Sequence, residues 1–240
     1  MNVLSLLGFG DTGWGTSLLL AMGTTLLVTL SALLIGALFG GLVASAKLSS
    51  RRSLRLLAEG YSILFRGVPE LLIIYLFFFG GATLVTAVGY WFGGEGYIDL
   101  PPFWVGALTV GLISGSYQAE VYRGAYLAIA PGEIEAGQAI GMSRHLLLRR
   151  IVIPLVWRFA LPGLGNVWQM SLKDSALVSV IGLVELMRAT QVAAGSTRQY
   201  FTFYVIAGLG YLLLTGLSSR LFQIAEARVQ RTQRPLHSGA

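Results

Sequence analysis

A small number of ionisable side chains lie inside long apolar segments, and these are the chain's candidates for chemistry. Lys173 and Asp174 are flanked on both sides by apolar residues, so the pair offers one donor and one acceptor. A zwitterion needs an acceptor for its ammonium group and donors for its carboxylate. Because an ionisable group at membrane depth is costly, the pair is a candidate for contact with a polar solute. Structural ion pairing with neighbouring residues is the alternative.

Two further places hold ionisable groups in apolar surroundings. Glu120 precedes Arg123 by three residues, a helical spacing at which the two side chains can satisfy each other, and structural pairing is the favoured interpretation. Arg66 and Glu70 are four residues apart beside a proline, and they could pair with each other, line a path or gate it. The candidates for contact with a solute are therefore Asp174, Lys173, Glu70, Arg66, Glu120 and Tyr117.

Several kinds of site are excluded or disfavoured by what the sequence lacks. It contains no cysteine, which excludes disulfides, thiolate metal sites and cysteine nucleophiles. The two histidines, His145 and His237, lie far apart, so no metal site is expected. No Gly-x-x-x-x-Gly-Lys-Ser/Thr phosphate loop is present, and the chain is not expected to bind ATP in that manner.

The composition indicates a membrane protein with several spans. Of the 240 residues, 55% are hydrophobic and 12% are charged, and the mean hydropathy is +0.70. Residues 12–46, 71–94, 100–119 and 199–219 contain no Asp, Glu, Lys or Arg. About 20 apolar residues cross a bilayer as a helix, so four such runs predict an all-α, polytopic helical bundle. We expect five spans, at about 16–46, 56–80, 101–129, 151–170 and 200–222.

The segments between these spans are expected to differ in character. A kink or break is predicted at Pro69 within the second span. Residues 81–100 are expected to form a loop with a short interfacial or re-entrant segment, and residues 190–199 a polar turn.

The basic residues predict the orientation of the bundle. Residues 47–55, residues 144–158 and the tail from Arg220 hold four Lys or Arg each, whereas residues 1–15 and 80–100 hold none. The positive-inside rule then places the N-terminus outside and the C-terminus inside, which five spans satisfy. The net charge of +6 comes from these basic residues between the spans. Nucleic-acid binding is disfavoured, because the sequence shows no continuous basic face with interleaved aromatic residues.

The longest polar excursion, residues 130–154, falls on the cytoplasmic side in this arrangement. Its composition predicts a short helix interrupted at Gly137 and Gly141, a basic helix over 143–150, and a restart of the chain at Pro154. Such an element can present a rigid knob to a partner. An ordinary solvated loop with a positive-inside charge cluster is the alternative from composition alone.

The spacing within this excursion resembles the Glu-Ala-Ala loop of the membrane subunits of type I ATP-binding-cassette (ABC) importers. That pattern is Glu-Ala-Ala, three residues, Gly, nine residues, Ile, one residue and Leu-Pro. The chain departs from it at Gly137, in place of the second Ala, and at Ile153, in place of Leu. The residues that match are Glu135, Ala136, Gly141, Ile151 and Pro154.

The resemblance extends along nearly the whole chain, which is then one transmembrane permease domain over 1–240. Residues 62–69, 117–124, 160–163 and 172–179 are similar to recurring segments of the polar amino-acid subfamily. Glu70 and residues 191–196 look most like the corresponding segments of permeases for basic amino acids and for opines such as octopine or nopaline.

The resemblance also implies an assembly in the bacterial inner membrane, working by alternating access. It comprises two permease subunits, identical or related, two cytoplasmic ATPases that bind ATP and Mg, and a periplasmic solute-binding protein that delivers substrate. This chain would hold no cofactor and would not be an enzyme. The main alternative is a secondary transporter or channel, which would use the same apolar spans without a cytoplasmic partner.

Overall fold

The computed structural model of the protein describes residues 6–10 and 13–231, and these residues form helices and connecting turns with no β-strand. The predicted all-α bundle is therefore confirmed. Its longer elements are α1 (Gly15–Lys47), α2 (Arg52–Gly67), α3 (Glu70–Trp91), α4 (Pro102–Leu127), α5 (Pro131–Ala139), α6 (Arg144–Ile181), α7 (Leu186–Thr197) and α8 (Tyr200–Arg231). Helix α3 includes a π-helical turn, Leu76–Gly80. Helix α6 includes a π-helical turn, Leu148–Val152, and ends in a 3₁₀ segment, Ser175–Ile181.

Four helices of the described chain are long and apolar enough to cross a membrane. They are α1, α3, α6 and α8, the last over Tyr200–Val229. Large apolar side chains such as Leu20, Leu34 and Leu212 are exposed along α1 and α8. Exposed leucines on helices of this length are suited to contact with lipid. The count of five spans and the outward N-terminus stay predictions.

Helix α4 lies at the centre of the bundle, packed most extensively against α1 and next against α6. Small residues allow the close approach of α1 and α4. A Cβ atom added at Gly36 would lie 2.4 Å from Nε2 of Gln118, and one at Gly40 would lie 3.0 Å from the carbonyl oxygen of Gly115. Small residues that let backbones approach closely are the usual device of helix packing in membranes.

The second span does not begin where the sequence predicted. Residues 52–67 form the separate amphipathic helix α2, which ends before Val68 and Pro69, and the apolar helix α3 begins at Glu70. Val68 is extended because a proline follows it, and Pro69 has no N–H to continue the hydrogen-bond ladder. The membrane-length helix is therefore Glu70–Trp91, in place of the predicted 56–80.

Two predicted loops are also helical. Residues 81–91 continue α3, so the predicted loop over 81–100 is wrong for its first half. The predicted polar turn at 190–199 is mostly helix α7, whose first turn is capped by Glu185 through a hydrogen bond from the backbone N–H of Arg188. Polar composition suggested a turn, but an acceptor before the first turn satisfies free N–H groups and starts a helix.

Candidate functional site

Helix α5 follows the central helix α4 and carries three of the six predicted contact residues, Glu135, Ala136 and Gly137. Only three residues separate α4 from α5, which begins at Pro131 with proline in its first turn, where no N–H is needed. Glu135 and Ala136 are exposed, so both can contact another protein. Gly137 is buried within the helix, and it is therefore not the break that its sequence predicted.

Gly137 is instead the point at which α5 rests on α6. A Cβ atom at this position would lie 2.5 Å from Cδ1 of Leu147 and 2.8 Å from Cδ1 of Ile151. Gly137 therefore packs against the ends of these two side chains. This contact fixes α5 relative to α6, which then leads into the membrane-spanning part of the bundle.

The turn between α5 and α6 is built on Gly141, as predicted. Its φ is +80°, a left-handed conformation that glycine adopts without the steric cost of a Cβ atom. The backbone N–H of Met142 donates to the carbonyl oxygen of Gly137 over 3.1 Å, and the Ser143 hydroxyl caps α6. The adjoining Ile140 side chain is 74% exposed, an apolar group at the tip of the projection that was overlooked in the sequence.

Pro154 does not restart the chain. The π-helical turn Leu148–Val152 precedes it, and the helix runs through Ile153 and Pro154 without interruption. The predicted basic helix over 143–150 and the fourth predicted span are therefore one continuous element. The contact with α5, at Leu147 and Ile151, lies on this same element, at and next to its π-helical turn.

A second group of candidates meets where α2 gives way to α3. A cavity of about 470 Å³ is lined by residues 66–71 and by Leu177 of the 3₁₀ segment. Tyr117 of α4 lies within electrostatic range of Arg66, Glu70 and Asp174. The structure thus brings together two carboxylates, a guanidinium and a phenol from four different segments.

Arg66 and Glu70 belong to the same cavity but do not form the ion pair considered from their spacing. The break at Val68 and Pro69 lies between them, so the four-residue separation does not place them on one helical face. The guanidinium of Arg66 lies 5.8 Å from the centre of the Tyr117 ring, and its Nη1 atom is 3.9 Å from Oε1 of Glu120. Lys173 is exposed and close enough to act electrostatically on Asp174.

Glu120 is part of an ion-pair cluster that joins α1, α2 and α4. Its Oε2 atom accepts a hydrogen bond from Nε of Arg123 over 3.0 Å, the contact predicted from their spacing. Its Oε1 atom contacts Nζ of Lys47, which also lies 3.2 Å from Oε2 of Glu59. Lys47 was overlooked because 73 residues separate it from Glu120 in sequence.

A buried carboxylate links α1, α7 and α8 and was also overlooked. Glu185 accepts hydrogen bonds from Tyr211 over 2.8 Å and from Thr25 over 3.3 Å. Burial raises the pKa of this carboxyl, while hydrogen bonds from the N–H groups of Met187 and Arg188 oppose the rise. The available signal was that Glu185 is the only acidic residue between Asp174 and Glu226.

No metal site is evident among residues 6–10 and 13–231, where no three of His, Cys, Asp or Glu cluster suitably. His145 is exposed, and His237 lies outside the described residues.

The fold is that of a membrane-embedded helical bundle with a cavity lined by charged residues and a short helix, α5, with an exposed carboxylate. Residues 32–231 match the family described as binding-protein-dependent transport system inner membrane component. The chain belongs to this family and is the membrane permease subunit of an ABC importer, a multi-pass protein of the bacterial inner membrane. Family members work with an ATPase and a binding protein.

Individual relatives match over most of the chain. The octopine transport system permease protein of Rhizobium meliloti is 53% identical over 96% of this chain and 98% of its own length. The nopaline transport system permease protein of Agrobacterium fabrum is 52% identical, over 95% of this chain and 97% of its own. The histidine/lysine/arginine/ornithine transport system permease protein of Salmonella typhimurium is 42% identical, over 85% and 89%. All three are permease subunits and not enzymes.

Solved structures agree with this assignment. An amino acid ABC transporter solved with histidines has a chain that superposes with a TM-score of 0.77 at 31% identity, covering 95% of this chain and 100% of that one. The MetNI methionine ABC transporter, in an inward-facing conformation, gives a TM-score of 0.61 at 18% identity, over 92% and 96%, and supports the fold alone.

Proposed function

We propose that this subunit translocates a cationic amino acid or an opine across the inner membrane, driven by ATP hydrolysis in a separate subunit. The observation that carries the proposal is a cavity lined by Arg66 and Glu70, with Asp174 close enough to interact electrostatically with Glu70. Two carboxylates favour a guanidinium or ammonium side chain, and one guanidinium can bind the carboxylate that every amino acid carries.

The similar proteins support the same class of solute. Their names specify octopine, nopaline, and histidine, lysine, arginine and ornithine. These solutes share an amino-acid carboxylate and a nitrogen-rich side chain that is cationic or readily protonated. A cavity with acidic and basic groups suits such a solute better than it suits a purely apolar one.

The solute proposal is tested by uptake into vesicles that contain the assembled importer. Asp174→Asn and Glu70→Gln remove one charge each with little change in shape. Each is expected to reduce arginine uptake about tenfold or more, because a charge-assisted hydrogen bond to the solute contributes about 1.5 to 3 kcal/mol. Glu95→Gln, in the exposed connection after α3, is the matched control and should leave uptake unchanged. Unchanged uptake in the Asp174 variant would remove that residue from the binding role.

We also propose that α5 and the turn after it receive the motion of the ATPase. Glu135 and Ile140 are exposed at the projection, where one carboxylate and one apolar side chain can dock on a partner. Gly137 packs against Leu147 and Ile151 of α6, so a displacement of α5 by the ATPase would move α6. A direct packing contact of this kind suits alternating access, in which ATP-driven closure of the ATPases exchanges an outward-open path for an inward-open one.

Glu135→Lys tests this coupling, with Glu133→Lys as its control. Both substitutions make the same change of charge on exposed positions of α5, but two residues along a helix turn the side chain to the other face. Glu135→Lys should abolish transport and weaken co-purification of the ATPase while the permease still inserts. The Glu133→Lys variant should keep most of its transport and most of its co-purification with the ATPase. Normal co-purification and normal substrate-stimulated ATP hydrolysis in the Glu135 variant would contradict the coupling role.

The complete assembly in this proposal contains a second permease subunit, identical or related, an ATPase dimer and a periplasmic binding protein. ATP and Mg are bound by the ATPase, since the permease has no phosphate loop. Co-expression of the chain with candidate ATPase and permease partners, followed by purification through a tag on this chain, tests the composition.

A further inference from the structure

An apolar groove separate from both sites opens on the side of the bundle. It has a volume of about 400 Å³ and lies between the second half of α1, the end of α4 and the beginning of α6. Its floor on α1 consists of small residues, and its walls carry two tyrosines and a tryptophan. Among its lining residues are Gly41, Tyr126 and Trp157.

The groove is open because α1 uses its glycines in two different ways. A Cβ atom at Gly36 or Gly40 would collide with α4, so these two glycines serve helix packing. A Cβ atom at Gly41 would meet nothing within 4 Å. The missing side chain at Gly41 therefore leaves space for a molecule outside this chain.

Two exposed arginines that neighbour groove-lining residues in sequence have no ion-pair partner within the described chain. Arg149 and Arg150 lie between Leu148 and Ile153, which both line the groove, and both arginines are exposed. Neither takes part in an ion pair among residues 6–10 and 13–231, where the cluster around Lys47 and Glu120 involves other cations. Two cations without an ion pair in the described chain therefore directly follow Leu148, a residue that lines the groove, and an anion attached to an apolar chain complements both the cations and the groove.

We propose that this groove binds one acyl chain of an anionic phospholipid, whose headgroup is held by Arg149 and Arg150. Basic pockets between membrane helices bind lipid headgroups, and amphipathic aromatic residues such as Trp157 and Tyr126 are suited to the headgroup level. A helix from a second permease would fill the apolar space but would leave the two arginines without an anion. The lipid lies against the beginning of α6 and so supports the element on which α5 rests.

The natural reporter is Trp157, since bromine atoms on an acyl chain quench the fluorescence of a tryptophan that they contact. The assembled importer is placed in vesicles of brominated phosphatidylglycerol diluted with unbrominated phosphatidylcholine, and in vesicles with the bromine on the other lipid. The signal of Trp157 is the difference between the wild-type chain and Trp157→Phe. The groove should bind phosphatidylglycerol about fivefold or more tightly than phosphatidylcholine. Each arginine near an anionic headgroup contributes about 1 kcal/mol, which is about a fivefold change in affinity.

Two substitutions with a matched control assign the preference to the groove. Gly41→Leu fills the groove and should reduce quenching of Trp157 by either lipid. Gly23→Leu makes the same change on the same helix, where a Cβ atom also meets nothing within 4 Å, and should have no effect. In the double variant Arg149→Gln with Arg150→Gln, phosphatidylglycerol and phosphatidylcholine should quench Trp157 almost equally, and both should still quench it.

Three outcomes would overturn the proposal. Equal quenching by the two lipids in the wild-type chain would make the groove part of the ordinary lipid boundary. No quenching of Trp157 by either lipid would mean that a protein covers the groove. An unchanged preference after loss of both arginines, together with weakened ATPase association, would assign these cations to the protein partner.

Discussion

The ion-pair cluster around Lys47 predicts that Glu120 and Lys47, although they contact each other, contribute differently to the stability of the protein. The Lys47 side chain is only 2% exposed, whereas Glu120 is 27% exposed and Glu59 is 56% exposed. Glu120→Gln leaves Lys47 buried with Glu59 as its remaining anion. Lys47→Met leaves Glu120 with Arg123 at 3.0 Å and Arg66 at 3.9 Å. We therefore expect Glu120→Gln to destabilise the protein more than Lys47→Met does.

The magnitudes follow from the degree of burial. A buried charge left without a partner costs about 3 to 5 kcal/mol, and because Glu59 stays 3.2 Å from Lys47, Glu120→Gln should cost about 3 kcal/mol, which at 2 to 4 °C per kcal/mol lowers the melting temperature by about 6 to 12 °C. Lys47→Met loses a hydrogen bond between charged groups, about 1.5 to 3 kcal/mol, which corresponds to about 3 to 12 °C. The double variant removes both charges, and its loss should be smaller than the sum of the single losses.

Thermal unfolding of the purified importer in detergent, followed by tryptophan fluorescence, measures these shifts. Arg123→Gln is a suitable control because its side chain is 41% exposed and its removal leaves Glu120 in contact with Lys47. Equal losses in the two single variants, or additive losses in the double variant, would refute the reasoning. Such results would mean that Lys47 is hydrated or that the two side chains do not interact.

Three glycine substitutions test the packing of the bundle. Gly137→Ala should be tolerated in uptake assays and should stabilise α5, by up to about 1 kcal/mol, since its Cβ atom meets only the ends of flexible side chains such as Leu147. Gly141→Ala should cost about 1 to 2 kcal/mol, because φ is +80° there, and should weaken ATPase co-purification. Gly106→Ala should lower the melting temperature, because its Cβ atom would lie 2.3 Å from Cγ1 of Val178, and Val178→Ala should restore it.

Each of these three expectations has a clear contrary result. A destabilised α5 in the Gly137 variant would mean that Leu147 cannot move aside. Unchanged ATPase association in the Gly141 variant would separate the turn from coupling. Failure of Val178→Ala to restore the Gly106 variant would place the strain elsewhere.

Local patterns predicted those parts of the site that depend on neighbours in sequence. The pairing of Glu120 with Arg123 required only a helix, and the turn at Gly141 required only a glycine between two helical segments. The pairing of Arg66 with Glu70 failed for an equally local reason, since the rule for helical spacing does not hold across the break at Pro69. A break at Pro69 was predicted, but the directions in which it turns the two side chains depend on how α2 and α3 pack against the rest of the bundle.

Contacts between distant segments could not be predicted from one sequence. Lys47 stood in a basic patch and was counted only for orientation, although its side chain is buried against Glu120. Glu185 stood alone in an apolar stretch and had no assigned partner, although Thr25 and Tyr211 enclose it. A single sequence carries no information on which of many helical faces meet, so these partners could not be named.

The sequence by itself determined that the chain is a helical membrane protein and that the spacing in residues 130–154 resembles the Glu-Ala-Ala loop, because apolar run lengths, basic loops and motif spacing are properties of the linear chain. Only the tertiary structure decided that Gly137 is a packing contact, that Pro154 lies within a continuous helix, and that Arg66 and Glu70 line one cavity, with Asp174 in electrostatic range of Glu70. The physical reason is that burial and charge proximity depend on how separate helices pack, and packing is decided by side-chain volumes across many helices at once.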